Sequence, residues 1–358
     1  MRFFFDARYI RTDFHDGISR YSTELGRAVA AQAPVTFLVS DPGQRALLPD
    51  GAETIMLHGP TSALEPFTAL RLNAHRPDVV FTPLQTMGSL GRRHKLILTL
   101  QDIIYYRDPT PPTNLPPHIR LGWWLFHQAY WPQRLVLDRA DAVVTVSETS
   151  RSYIEKYRLT RRPITVVSNA PSPLLDVPEP GTVGRDLVYV GSFMPYKNTD
   201  VLIKALAYLP DDFTLHLVSP IKADREAELA ALIPEGRTVI FHRGVTEAEY
   251  LDLLGRAYAL LTASKVEGFG LPIVEAQRAG VPVICSETDI FTEVAGPEAL
   301  VFPPDDPVTL AKQIETLDDP SVRQRIVDTG RANAARFSWD HSASVLLDLA
   351  RSLARSAR

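Results

Sequence analysis

The chain has 358 residues, enough for two ordinary domains rather than one. Its hydrophobic share of 45% and charged share of 22% are those of a globular protein, and a net charge of −4 argues against nucleic-acid binding by bulk electrostatics. No apolar run reaches the ~18–20 residues of a membrane span, and MRFFFDARYI lacks a signal-peptide core. The lone Cys285, inside the apolar run VPVICS, reads as a buried strand residue in a reducing cytoplasm.

Short β-rich runs alternate with amphipathic helical stretches along the whole chain. The strand candidates of the first half are RFFFD (2–6), VTFLVS (35–40), TIMLH (54–58), DVVFTP (78–83), KLILTLQD (95–102), DAVVTVS (141–147) and ITVVS (164–168). Between the fifth and sixth lies the proline-rich DPTPPTNLPP (108–117), then a helix with Trp123, Trp124, Phe126, Tyr130 and Trp131. Those aromatics read either as core packing or as a lip for an acceptor or a membrane surface. The second half supplies LVYVG (187–191), FTLHLVS (213–219), TVIFH (238–242), YALLTAS (258–264), VPVICS (281–286) and ALVFP (299–303). Most of these runs are continuously apolar, as parallel strands covered on both faces must be. The expectation is a doubly wound α/β protein in two Rossmann-like halves. Residues 1–170 form the first and 187–337 the second, with a linker at 171–186 where proline and glycine rule out a helix or central strand. Residues 338–358 read as a C-terminal helix returning to the first half.

The stretch VEGFGLPIVEAQRAG (266–280) carries the chemistry. Two carboxylates, Glu267 and Glu275, stand with seven residues between them around a Gly-Phe-Gly-Leu-Pro turn. Proline suits the first helical position, so the helix is expected from Pro272, with Leu271 in the cap position and unable to cap. Thr246 with Glu249, Asp306 before Pro307, and Ser338 are ordinary capping signals. The amides of Ile273 and Val274 would then stay open at the positive end of a helix, a site for a phosphate or diphosphate. Carboxylates repel phosphate but accept pairs of sugar hydroxyls, so a nucleotide-sugar fits, with ribose at Glu275 and hexose at Glu267. On these residues alone a plainer reading stays open, in which Glu275 favours a helix N-terminus and Glu267 lies in solvent.

The stretch resembles the E-x7-E signature of glycosyltransferase family 4, retaining enzymes of the GT-B fold. ILTLQDIIYYRDP is similar to the family's strand and His-Asp segment, and ADAVVTVSETSRSYIEKY to its A-D-x-V-x-x-V-S strand and helix. LVYVGSFMPYKNTDVLIKAL looks like its donor loop, and VIFHRGVTEAEYLDLLGRA, VPVICSETDIFTEVAG and RFSWDHSASVLLDLA resemble the rest of its second half. The opening FDARYIRTDFHDGISRYSTEL resembles a bacterial branch that includes mannosyltransferases of surface-polysaccharide assembly. The likeness is strong over 187–340 and looser before 95.

The resemblance implies two facing Rossmann-like domains with mostly parallel sheets. It also implies a hexosyltransferase that uses a nucleotide-sugar, GDP-mannose or a UDP-sugar, with no further cofactor and no metal. Lys197 would neutralise the donor diphosphate, and the backbone of Gly268, Phe269, Gly270 and Leu271 would contact hexose and phosphates. The His242–Val245 loop would hold the nucleobase, largely by backbone. Gly17 would approach the diphosphate from the first domain. Arg20, Asp102 and Tyr105 fall on the acceptor side, and Asp102, Gln101 and Glu267 are the residues nearest the chemistry. Two positions depart from the pattern. Ser192 stands where the family usually has arginine, so Arg20 or Arg243 would have to supply the second positive charge. Gln101 replaces the histidine of the His-Asp pair and cannot carry a proton. The leaving phosphate itself could deprotonate the acceptor in a front-side attack, which keeps activity open.

The expected partners are the donor and a saccharide or lipid-linked saccharide acceptor, with peripheral contact at the inner face of a membrane and no nucleic acid. Gln101 and Ser192 also suit a non-enzymatic sugar-nucleotide-binding subunit that partners an active transferase. A nicotinamide or flavin enzyme would need Gly-x-Gly-x-x-Gly after the first strand, which RFFFDARYIRTDFHDG lacks. A phosphorylase would need a cofactor-lysine context that is missing, and the Glu-flanked loop does not support a sugar-nucleotide epimerase.

Overall fold

The computed structural model describes residues 1–12, 17–111, 116–172 and 184–356, and these divide into two compact units. One unit comprises Met1–Asn169 with the C-terminal helix from Ser338 onward, and the other Ala170–Phe337. Most of the stretch read as a linker, residues 173–183, lies outside the described residues.

Every run expected to be a strand is one. In the first unit β1 (Phe3–Asp6), β2 (Val35–Val39), β3 (Glu53–Met56), β4 (Val79–Thr82), β5 (Lys95–Thr99), β6 (Ala142–Thr145) and β7 (Ile164–Val166) form one sheet in the order β3-β2-β1-β4-β5-β6-β7. In the second, β8 (Asp186–Tyr189), β9 (Thr214–Leu217), β10 (Thr238–Phe241), β11 (Ala259–Thr262), β12 (Val283–Ser286) and β13 (Leu300–Phe302) follow the order β10-β9-β8-β11-β12-β13. All pairings are parallel. That explains the apolar runs, because helices cover both faces and strands such as β1, β4, β6 and β11 are buried at every residue. Cys285 sits fully buried on β12, where burial pushes its thiol up to about 12, so it is inert packing.

Each sheet reverses its winding once, between β1 and β4 in one unit and between β8 and β11 in the other. In open α/β sheets the crevice for a ligand opens outside the carboxyl ends of the strands at that point. The topology therefore singles out the loops after β1, β4, β8 and β11.

The C-terminal helix Trp339–Arg355 packs on the helix Gly17–Gln32 within the first unit. Ser338 caps it, and the buried Trp339 ring meets Tyr21 edge-on at 6.0 Å. The Gln32 side chain donates to the Asp340 carbonyl at 2.8 Å, and the Ser342 hydroxyl to the Ser168 carbonyl at 2.8 Å.

Candidate active site

The loop after β8 turns sharply at Gly191. There the Tyr189 hydroxyl folds back to donate to the Ser192 carbonyl at 2.7 Å, and a Cβ on residue 191 would come within 2.8 Å of that hydroxyl. A single 3-10 turn, Pro195–Lys197, then leads into Asn198, whose left-handed backbone (φ +53°) is held by its side-chain amide donating to the Pro304 carbonyl at 2.5 Å. This lifts Lys197 to the carboxyl edge of β8. Its ammonium forms a close ion pair with Glu267 from the loop after the neighbouring strand β11. Both side chains are about one-sixth exposed, at 15% and 16%. The sequence reading set Lys197 at the diphosphate and Glu267 at the hexose of a donor, and the fold makes them direct partners.

The glycine turn differs in detail from its sequence reading. The helix runs Leu271–Arg278, one residue earlier than expected, and its cap position is Gly270, at φ +96°. A Cβ at 270 would come 3.0 Å from the Phe291 ring, so glycine is required there for both reasons. The Ile273 amide donates to the Gly270 carbonyl at 3.0 Å and is not an open donor. No side chain caps this helix start, but the helices beginning at Thr199, Ala223 and Asp289 also lack side-chain caps, so the contrast with capped helices is weaker than the sequence suggested. Phe269 is buried, its ring edge-on to Phe337 at 5.3 Å, which leaves the backbone of 268–271 to line the edge. Glu275 is only 2% exposed and accepts from the Tyr250 hydroxyl at 3.3 Å.

Ser192 is exposed. Arg243 does not join the set. Its exposed guanidinium makes a bidentate pair with Glu226, at 2.9 and 2.6 Å, on the helix Ala223–Ala230.

In the first unit β5 ends at Thr99, so Gln101 and Asp102 lie in the loop beyond it and not on a strand. The Gln101 amide donates to the Pro83 carbonyl at 3.1 Å, joining the loops after β5 and β4. Asp102 accepts the Ile104 amide at 2.9 Å and so heads the turn Ile104–Arg107. Tyr105 is 38% exposed, with Trp123 edge-on at 4.7 Å. Gly17 opens its helix at an exposed position, and Arg20 is half-buried on the same helix.

Residues 16–170 match the model of the glycosyl transferase 4-like domain, and residues 181–333 that of glycosyl transferases group 1. The chain belongs to these glycosyltransferases. It is 31% identical to O-antigen chain mannosyltransferase B of Escherichia coli over 224 residues, which cover 57% of this chain and 59% of that one. The chain spans about half the length of the curated relatives it matches. Among solved structures, sucrose-phosphate synthase from Thermosynechococcus elongatus superposes with a TM-score of 0.75 at 20% identity over 99% of both chains. Anabaena HepE, solved in complex with UDP and glucose, gives 0.70 at 18%, over 98% of this chain and all of that one. The fold is GT-B.

The structure decides one reading that the sequence left open and adds one feature that it did not show. The aromatic segment is two helices, Pro117–His127 and Tyr130–Leu137, and the first buries none of its residues. Leu121, Trp124, Leu125 and Trp131 are 41–62% exposed, so core packing is ruled out for them. The added feature is a buried charge network after β1. Arg8 binds both oxygens of Asp6, at 2.8 and 2.9 Å, and both of Glu65, at 2.7 and 3.1 Å, and His58 adds a contact to Glu65 at 3.1 Å. Asp6 closes the strand run RFFFD, and Arg8 stands two residues beyond it. Glu65, 57 residues on, gave no signal. Among the described residues no helix is long and apolar enough to cross a membrane, and no three His, Cys, Asp or Glu side chains could hold a metal ion.

Proposed function

We propose that this protein transfers a hexose, best taken as mannose, from a nucleoside-diphosphate sugar to a saccharide acceptor with retention of configuration. The observation that carries this reading is the Lys197–Glu267 pair at the β8/β11 switch point, beside the glycine-started helix. An incoming diphosphate competes for the ammonium. Lys197 turns from Glu267 to the phosphates, and the released carboxylate becomes an acceptor for hexose hydroxyls. The same ammonium and the helix dipole stabilise the charge that grows on the departing nucleotide, so no metal is needed in this scheme. Glu275, oriented by Tyr250, takes the ribose hydroxyls. The leaving phosphate removes the acceptor proton, with Asp102 on the acceptor side and Gln101 bracing the loop that carries it. The likeness to an O-antigen mannosyltransferase supports mannose and a role in polysaccharide or glycolipid synthesis. The bare apolar faces of the two helices after residue 116 support an acceptor on a lipid carrier, met at the inner face of a membrane.

A second reading, a sugar-nucleotide-binding subunit without turnover, is favoured by Gln101, whose amide donates to the Pro83 carbonyl and cannot act as an acid or base. The test is thermal stabilisation by GDP, UDP and ADP and their sugar conjugates, for the native protein and Glu275→Gln. A nucleotide at a hundred times its Kd adds ~2.7 kcal/mol. Stabilisation that is weakened in the variant is expected, followed by donor turnover once acceptor is supplied. Stabilisation without turnover on any saccharide acceptor would favour the binding subunit. A folded protein that no nucleotide stabilises would remove both readings.

A further inference from the structure

Two histidines stand on the same edge of the second unit, and the donor site described above uses neither side chain. His216, on β9, is 4% exposed, and His242 directly follows β10. Their rings stack at 5.2 Å and 25°, and Nδ1 of His216 lies 2.9 Å from Nε2 of His242. A hydrogen bond between neutral imidazoles needs one nitrogen protonated and the other bare. A third group decides which. Nε2 of His216 lies 3.2 Å from the Asp186 carboxylate, an electrostatic contact outside hydrogen-bond geometry, and makes no hydrogen bond with a described residue. Arg256 in turn holds that carboxylate at 2.8 Å. A bare lone pair facing that carboxylate is unfavourable, so the proton resides on Nε2 of His216. His216 Nδ1 is then the acceptor and His242 Nε2 the donor. His242 Nδ1 keeps its lone pair, and it makes no hydrogen bond with a described residue.

The lacing of the edge shows where that lone pair stands. The His242 amide donates to the Leu217 carbonyl at 3.0 Å, the Gly244 amide to Val218 at 3.1 Å, and the Val218 amide to Tyr189 at 3.0 Å. The Gly191 amide donates to the Ser219 hydroxyl at 3.0 Å. The loops after β8, β9 and β10 are thus one continuous rim, with Lys197 on the first and His242 on the third. The Tyr250–Glu275 bond ties the ribose-binding carboxylate to the helix Glu247–Arg256, which follows the His242 loop. A nucleoside whose ribose sits at Glu275 therefore extends toward His242.

We propose that His242 reads the nucleobase, accepting at Nδ1 a hydrogen bond from a ring imino N–H. This rests on the donor-site reading and sharpens it. Guanine and uracil present such an N–H, whereas adenine and cytosine present a bare ring nitrogen that would oppose the lone pair. The selection depends on side chains, with Asp186 and His216 as positioning residues that fix the tautomer. The groups facing His242 are His216, Asp186 beyond it, and Arg256 and Glu249 of the following helix. Burial first, then the His216 ring and the Arg256 charge, lower its affinity for a proton, while Glu249 opposes them. The lone pair therefore persists at neutral pH, and protonation in acid turns the acceptor into a donor.

Calorimetric Kd values for GDP, inosine diphosphate, UDP, ADP and CDP test the proposal on the native protein, on His242→Phe, which keeps the stacked ring, and on Asp186→Asn. At least one imino-bearing nucleotide should bind about tenfold or more tighter than ADP and CDP. In His242→Phe that ratio should fall to within about threefold with the ADP affinity kept, since only the polar reader is lost. Asp186→Asn should narrow it partly, and acid should erode it in the native protein. Equal binding of all bases, or a ratio that survives in His242→Phe, overturns the proposal and leaves the donor site standing. If His242→Phe does not fold, a ratio in the native protein that is unchanged through the acid titration of His242 overturns it equally. Binding of no nucleotide by the folded protein overturns the donor-site reading and this proposal with it.

Discussion

The two units repeat one topology and use its switch point in opposite ways. After β1 the first unit places Arg8 and Asp6, whose side chains have no exposure, and surrounds the guanidinium with Asp6, Glu65 and the His58 carbonyl. Glu65 in turn accepts the Gly88 amide of the loop after β4 at 3.3 Å. Every charge there is answered by the chain itself. After β8 the second unit places Lys197 opposite Glu267, each about one-sixth exposed, beside a helix start that no side chain caps. A saturated, buried network fixes loops. A partly exposed pair can exchange its partner for a ligand. Position in the fold suggests where a ligand goes, and the difference in saturation supports the proposed placement of the donor on the second unit.

Breaking the saturated network should have the largest effect. Arg8→Met leaves the Asp6 and Glu65 carboxylates without their cation, and losing one partner of a buried pair costs ~3–5 kcal/mol. The loss should be local to the first unit. Amide exchange along β1 and β4 should speed up by the corresponding factor, while β8 and β11 keep their protection. A loss below ~1 kcal/mol, or one shared equally by both sheets, would mean that the network is not what holds the β1 edge.

Breaking the open pair should spare stability and remove function. Lys197→Ala should cost ~10²–10³ in transfer rate, the usual scale for deleting one group that stabilises developing charge. It should lower the unfolding free energy by less than Arg8→Met does, since a single, partly exposed ion pair is lost rather than a cation bound by two buried carboxylates. Paired measurements of rate and melting decide the matter. A variant that melts early yet turns over normally would make the Lys197–Glu267 pair a structural tie and erase the contrast between the units.

Much of this was legible because parallel strands buried on both faces must be apolar throughout. RFFFD, DVVFTP and LVYVG announce themselves and, with the helices between them, the sheets. The candidate donor loops stood out because Gly191 and Lys197, and Glu267, Gly270 and Glu275, lie at short spacings in the sequence. What the sequence hid is what depends on distant partners. Glu65 answers Arg8 across 57 residues, and His216 meets His242 only because β9 and β10 are neighbours. The start of the helix at Leu271 was misjudged by one residue because Gly270, at positive φ, takes the cap position without a side chain to show it. Trp124 and Trp131 carry the composition of a core, and only the fold shows that nothing described covers them.

Acid should separate the two units more gently. His94, 6% exposed just before β5, has no hydrogen-bond partner for either ring nitrogen among the described residues. Burial first, then the Arg92 charge, push its pKa down to about 4, with Asp141 opposing. The folded state therefore favours the neutral ring. Above the ordinary value of 6.5 neither state holds the proton, and the full stability is present. As the pH falls from 6.5 towards 4 the unfolded chain takes up a proton that the folded unit refuses, and stability drains by as much as ~3 kcal/mol over that window. Below about 4 the folded state is protonated too, and this contribution is lost. His94→Leu removes the titration without emptying the site. Its unfolding free energy should run flatter than that of the native protein between pH 6.5 and 4, and the difference should appear in the exchange of β5 amides and not in those of β11. Parallel pH profiles for the two proteins would mean that the ring meets water before it meets the proton, and that the first unit breathes open at β5 well short of unfolding.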